Sequence, residues 1–412
     1  MPPTPTESPR VPPFGRHVEA FLARSLPAGK GGHVLAIGEA HHTHDYIDTL
    51  NEQWQNLSNP AKYNVGTLGL EQPTYINVVL WAMEDKRLPL SDPKKSADYL
   101  ASVLNRLSIA GFQANIRASA ELIEQAMANK TQVITFDMRH TLDITLVYHS
   151  QTMGLIKPYL PTSAKEQQAL REDPKAFEQW KKEVVRKSAF VGDKEYIDHA
   201  WSLSEIKSLV DANPGYAARL QALEEVGRAA GREGLLEDGQ SAAVLAHYAD
   251  KSRNIITSGG LYHNTGKHIP EAEAQGGFAA HLAQRGLAVT PAIVTTDHDL
   301  RNLLSYVAPS EKGTPQNKVF QLYLENCAAR APMHLLVLDK DVVLDVSNPE
   351  KLSGIRGFFH LLGAEKEAKD VAKQLVESGA RLTCDQPSLP TVAACAQQEA
   401  AGKGACKPIS QR

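Results

Sequence analysis

Cysteine is scarce in this sequence, with four in 412 residues, and no two are spaced Cys-x-x-Cys. A thiolate zinc site or a thioredoxin-like centre needs that spacing, so neither is expected. Three of the four, Cys384, Cys395 and Cys406, lie beyond residue 383, and a chain this long needs no disulfide framework. No apolar run reaches the length of about 18 residues that a membrane span requires. Positive charge is not in excess: 44 Lys and Arg stand against 47 Asp and Glu, a net charge of −3. Without a basic stripe, neither nucleic acid nor an anionic membrane surface is expected as a partner. No period of about 20–50 residues repeats, which excludes a solenoid. The opening MPPTPTESPRVPPFGRH lacks a basic region followed by an apolar run, so no Sec signal peptide is read there. The expected location is cytoplasmic; the alternative is secretion by a signal-less route, as an effector acting inside a host cell.

What is present is ample material for a core, 42% hydrophobic residues. Residues 1–15 are Pro-rich and expected to be disordered, and residues 385–412 read as a flexible tail. The stretch 16–384 reads as a single α/β domain. Short apolar runs predict strands over 33–37, 65–70, 132–136, 254–257, 288–294, 334–338 and 342–345. Helices are predicted over 45–57, 75–84, 96–108, 113–129, 271–285, 350–362 and 364–379. Alternation of strand and helix predicts a mainly parallel sheet with helices on both faces. Between about 140 and 250 strand signals fade, and charged, Ala- and Leu-rich segments predict a large helical insertion.

In such a sheet ligands bind outside the carboxyl ends of the strands. Behind the first strand come Gly38, Glu39, Ala40, His41, His42, Thr43, His44 and Asp45; behind the second, Glu71. Behind the third come Asp137, Arg139 and His140, and behind the fourth, Gly259, Gly260, Tyr262, His263 and His268. Imidazoles and carboxylates at four successive strand ends are not what packing alone produces. They are the donors that zinc, manganese and iron take, and an ion so held activates water or polarises a carbonyl. The metal set read here is His41, Glu71, His263, Glu39 and His44. Without a metal, Glu39 or Glu71 paired with His41 serves as general base, and Arg139 stabilises an oxyanion or holds a substrate carboxylate.

The set Gly38-Glu39-Ala40-His41, then Glu71, then Gly260-Leu261-Tyr262-His263 resembles the superfamily of Tiki metalloproteases, ChaN-like haem-uptake proteins and erythromycin esterases, whose signature is two G-x-x-H motifs with a glutamate between. The resemblance spans about 31–140 and 235–295. It implies a hydrolase of an ester or amide acting on a small-molecule or peptide substrate through Glu39, His41, Glu71, Arg139 and His263. The esterase branch implies histidine and carboxylate chemistry without a metal. The ChaN branch implies haem or another small ligand bound instead, with Tyr262 or His263 as axial ligand.

Structural roles compete for some of these residues. Thr43, His44 and Asp45 also make an ordinary helix N-cap, and Asp137 and Arg139 an ordinary salt bridge. The cluster Thr296, Asp297, His298, Asp299 reads as metal ligands or as the cap of a helix beginning at Leu300.

Overall fold

The computed structural model describes residues 14–39, 44–85, 96–107, 116–138, 141–148, 154–161, 163–188, 195–231, 238–260, 277–299 and 334–345. Seven strands form one sheet: β1 (His33–Glu39), β2 (Val65–Pro73), β3 (Gln132–Asp137), β4 (Asn254–Gly260), β5 (Ala288–Thr295), β6 (His334–Val337) and β7 (Val342–Asp345), in the order β3-β2-β4-β1-β5-β6-β7. Every neighbouring pair is parallel except β6 with β7. That last pair is a hairpin turned by Leu338–Lys340 and by Asp341 in the left-handed region.

Residues 34–38 of β1 and 65–70 of β2 are buried without alternation, so both faces of the sheet are covered. Two helix layers do the covering. On one face lie α2 (Asp45–Glu52), α3 (Trp54–Ser58) and, after α4 (Ile76–Glu84) and α5 (Ser96–Leu107), α6 (Ile116–Ala128), with α2 and α3 both packed on α6. The chain then passes through α7 (Leu142–Tyr148), α8 (Ala164–Glu172), α9 (Pro174–Ser188), α10 (Glu195–Ala212) and α11 (Pro214–Ala229) to α12 (Asp238–Tyr248). Helix α12 and α13 (Phe278–Gln284) pack together on the other face. The pleat fixes this assignment. Tyr46 of α2 reaches Ser258 of β4. Leu245 of α12 lies over Gly69, which pairs with Thr257, the residue before Ser258. Adjacent strand residues point to opposite faces.

Chain direction explains the two layers. From β1 through β2 to β3 the chain steps one way across the sheet, and from β3 through β4, β5 and β6 it steps back. Right-handed crossovers then place the connecting helices on opposite faces. At the carboxyl ends of the neighbours β1 and β4 the chain departs to opposite sides, and such a reversal opens a crevice.

Strands β1, β2 and β4 outrun the apolar segments that predict them. A ladder is made by backbone groups, whatever the side chain, so Gly38 pairs with Gly259 and Glu39 with Gly260. The single helix expected over 45–57 breaks at Gln53, whose buried side chain accepts a hydrogen bond from Asn56 Nδ2 at 2.9 Å. Of the stretch read as an insertion, α10 to α12 form the ordinary crossover from β3 to β4 and contribute Leu203, Ile206, Tyr216, Leu220 and Leu245 to the main core. Ile156, Val184, Ile197 and Ala200 form a separate small cluster. The helix that carries Ile197 and Ala200, α10, is joined to α5 by the buried pair of Arg106 and Glu205, 3.0 Å apart.

Phe14 and Gly15, the last residues of the Pro-rich start, belong to the fold. Phe14 is buried, and the Gly15 carbonyl accepts from Glu19 at the head of α1 (Arg16–Ser25). The helices expected over 350–362 and 364–379, the tail 385–412 and residues 1–13 lie outside the described residues. Among the described residues no helix is long and apolar enough to cross a membrane.

Candidate functional site

The four strands whose ends carry the candidate residues, β3, β2, β4 and β1, occupy four adjacent places in the sheet. Glu39 ends β1 and Glu71 lies in the last turns of β2, on either side of the end of β4. Both carboxylates are tied to that end. Glu39 Oε2 accepts from Ser258 Oγ at 3.3 Å and from the Tyr46 phenol. Glu71 Oε2 accepts from the backbone N–H of Gly260. Glu39 pairs with Gly260, on the face carrying α2; Glu71 follows Leu70, which pairs with Ser258, and therefore leaves on the other face. The two glutamates thus bracket β4 from opposite faces of the sheet.

Glycine at 259 makes room for that arrangement. A Cβ there would lie 2.7 Å from Glu71 Oε2 and 3.1 Å from Glu71 Cβ. With no side chain at 259 or 260, the end of β4 is bare backbone between two carboxylates.

Tyr46 is fully buried. Burial first, and then the adjacent Glu39 carboxylate, hold its phenol well above the ordinary tyrosine value, so it keeps its proton and donates. The helix carrying Tyr46 is anchored from a third strand. Asp299, four residues past the end of β5, is buried, and its carboxylate accepts the N–H of His44 at 3.2 Å and of Tyr46 at 3.0 Å, with Asp45 N–H also bonded. These are the orphan donors of the first turn of α2. The N-cap position itself is His44, whose side chain makes no cap bond. Burial raises the Asp299 carboxyl, the Tyr46 N–H lowers it, and the Asp45 carboxylate raises it again. Thr296 Oγ1 in turn accepts from Asp299 N at 3.2 Å. Thr296 therefore caps its own segment and Asp299 caps α2, while the helix expected to begin at Leu300 lies outside the described residues.

His44 Nδ1 lies 3.2 Å from Asp45 and 3.3 Å from Asp48, and His298 Nδ1 lies 2.5 Å from Asp45. Two groups of three, His44 with Asp45 and Asp48, and Asp45 with His298 and Asp299, bring their ligand atoms within 4.8 Å of one another. They sit at the positive end of the α2 dipole, which favours carboxylates and opposes a cation. Histidine–aspartate pairs and a cap account for the geometry. His44, read from sequence as a metal ligand, belongs to this cluster, while Glu39 and Glu71 are at the end of β4.

Asp137 ends β3, is buried, and raises the Tyr75 phenol, for which burial is the larger cause. His41, His42, Arg139, His140, Tyr262, His263 and His268 lie outside the described residues.

Two participants, Ser258 and Tyr46, are not among the residues the sequence singles out, and the role of a third, Asp299, is not legible there. Ser258 carried a weak signal, a hydroxyl between an apolar strand and two glycines. Tyr46 had none, because an aromatic one residue inside a helix reads as core. Asp299 stands in the 296–299 cluster, but its partner helix lies more than 250 positions away in the chain.

No family model, no curated protein and no solved structure matches this chain.

Proposed function

We propose that the chain is a hydrolase of a carboxylic ester or amide, acting on a small-molecule or peptide substrate at the carboxyl ends of β1, β4 and β2. The observation that carries this reading is the pair Glu39 and Glu71, each held by hydrogen-bond donors and bracketing the side-chain-free end of β4. The ends of strands beside a topological reversal are where a sheet of this kind takes its ligands, and a carboxylate held in place there is suited to orient a water for attack.

The donor set fits a divalent ion. Carboxylate and imidazole are the ligands of manganese, zinc and iron(II), and Oε2 of each glutamate has the outer hydrogen-bond support that ligating carboxylates need. Glu71, His41 and His263, with Glu39, are the residues that would hold it. Bound there, such an ion supplies Lewis-acid polarisation and a more acidic water. In this reading Glu39 orients the attacking water and accepts its proton. The Arg139 guanidinium is assigned to the charge that develops on the carbonyl oxygen.

Elemental analysis of the purified protein beside a His41→Ala/His263→Ala variant tests the metal half. Manganese, zinc or iron near one per chain, lost in the folded variant, is expected. Equal metal content in both would remove those histidines from the ligand set.

A further inference from the structure

The Glu39 carboxylate is held by more of the molecule than a surface carboxylate at a strand end requires. One of its oxygens receives the Tyr46 phenol from α2 and the Ser258 hydroxyl from β4. Those two hydroxyls also lie 3.4 Å from each other. Tyr46 is completely buried, and a buried phenol costs free energy unless its O–H finds a partner. A phenylalanine would fill the same space without that requirement. The phenol is aimed in turn by the backbone of the first turn of α2, whose N–H groups are clamped by buried Asp299 at the end of β5. Groups from α2 and β4 therefore meet on one carboxylate oxygen of β1, and the α2 group is fixed in turn by Asp299 from the segment after β5.

We infer that Tyr46 is a positioning residue for Glu39: Asp299 fixes the start of α2, that turn aims the phenol, and phenol and Ser258 together hold the carboxylate at the end of β4. The inference rests on the hydrolase reading for what Glu39 does, and on contacts alone for how Glu39 is held. Ordered outer partners of this kind matter because a misplaced ligand or base costs more than a missing contact elsewhere.

The test uses the full chain with Tyr46→Phe, which keeps the ring, and Asp299→Asn, which keeps the size. Near-UV circular dichroism checks that each is folded. Two readouts are taken at pH 8. The first is Mn2+ affinity by electron paramagnetic resonance. Tyr46→Phe is expected to weaken binding by about 10- to 100-fold, the usual loss for an outer-shell partner, with Asp299→Asn weakening it in the same direction. The second is the carboxylate stretching band of Glu39, identified as the infrared difference between wild type and Glu39→Gln. It is expected to shift in Tyr46→Phe. Unchanged Mn2+ affinity with Glu39→Gln impaired would overturn the positioning role while leaving the metal reading intact. If wild type binds no Mn2+, the metal reading fails, and the infrared band alone decides the inference: a shifted band sustains it and an unshifted band overturns it.

Discussion

Replacing Gly259 by alanine is the sharpest perturbation of the glutamate arrangement, because the added methyl has a calculable effect. It would stand 2.7 Å from Glu71 Oε2 and 3.1 Å from Glu71 Cβ, against about 3.5–4.0 Å for an unstrained contact. Gly259 is held by its pairing with Gly38, and the flexible end of Glu71 is what gives, so the carboxylate leaves Gly260 N–H. Losing a hydrogen bond to a charged acceptor costs about 1.5–3 kcal/mol. Crowding at Glu71 Cβ adds about 0.5–1.5 kcal/mol if the side chain is driven off its rotamer. Alanine recovers about 0.4–1 kcal/mol through the unfolded chain. The expected net loss is about 2–3 kcal/mol. Urea unfolding reads it as a lower midpoint at unchanged slope. In a Glu71→Ala background the same methyl meets no carboxylate, so the cycle should show a coupling of about 2–4.5 kcal/mol, the hydrogen-bond and rotamer costs together. Additivity within about 0.5 kcal/mol, the behaviour of independent sites, would refute the claim that the absence of a side chain at 259 makes room for Glu71.

Asp299→Ala removes the clamp on the first turn of α2 and should cost about 1–2 kcal/mol in urea unfolding; no change would mean that water replaces the clamp. The phenols of Tyr46, Tyr63 and Tyr75 are all raised, burial being the largest cause in each. The folded state therefore keeps these protons to higher pH than the unfolded chain, which releases them near the ordinary value of about 10. Above that pH the unfolded state binds fewer protons, so stability should fall as pH rises from 9 to 11, and a flat profile of urea midpoints would contradict it. Breaking the buried pair of Arg106 and Glu205 with Glu205→Leu should destabilise by about 3–5 kcal/mol, and Arg106→Met added to it should restore most of the loss. A double variant no better than the single would show that the pair's own attraction, not an orphaned charge, sets the cost.

Much of the sheet was legible in the sequence because buried parallel strands are runs of Val, Ile and Leu: His33 to Ile37, Val65 to Leu70 and Asn254 to Thr257 all fall inside observed strands. Their ends were not, because Gly38, Glu39, Gly259 and Gly260 join the ladder through backbone groups that carry no hydropathy signal. Strand order was equally hidden. That β4 inserts between β2 and β1 is set at the far end of a connection of more than 100 residues running from β3 to β4, and no local pattern encodes it. The same insertion makes Glu39 and Glu71 neighbours of one strand end, which their spacing in the chain does not reveal. Residues defined by a partner far away, such as Asp299 on α2 and Asp341 on the N–H groups of His17 and Val18, were legible only as carboxylates at element ends.

The central claim is that Glu39 and Glu71 serve one hydrolytic site. It is tested most directly by measuring ester and amide turnover on a panel that includes p-nitrophenyl acetate, with Mn2+ or Zn2+ added and with chelator, for wild type, Glu39→Gln and Glu71→Gln. The expected result is turnover by wild type that both folded variants lose by at least about a hundredfold, in the range that removing one general base costs. Turnover by wild type that both variants retain would contradict the account.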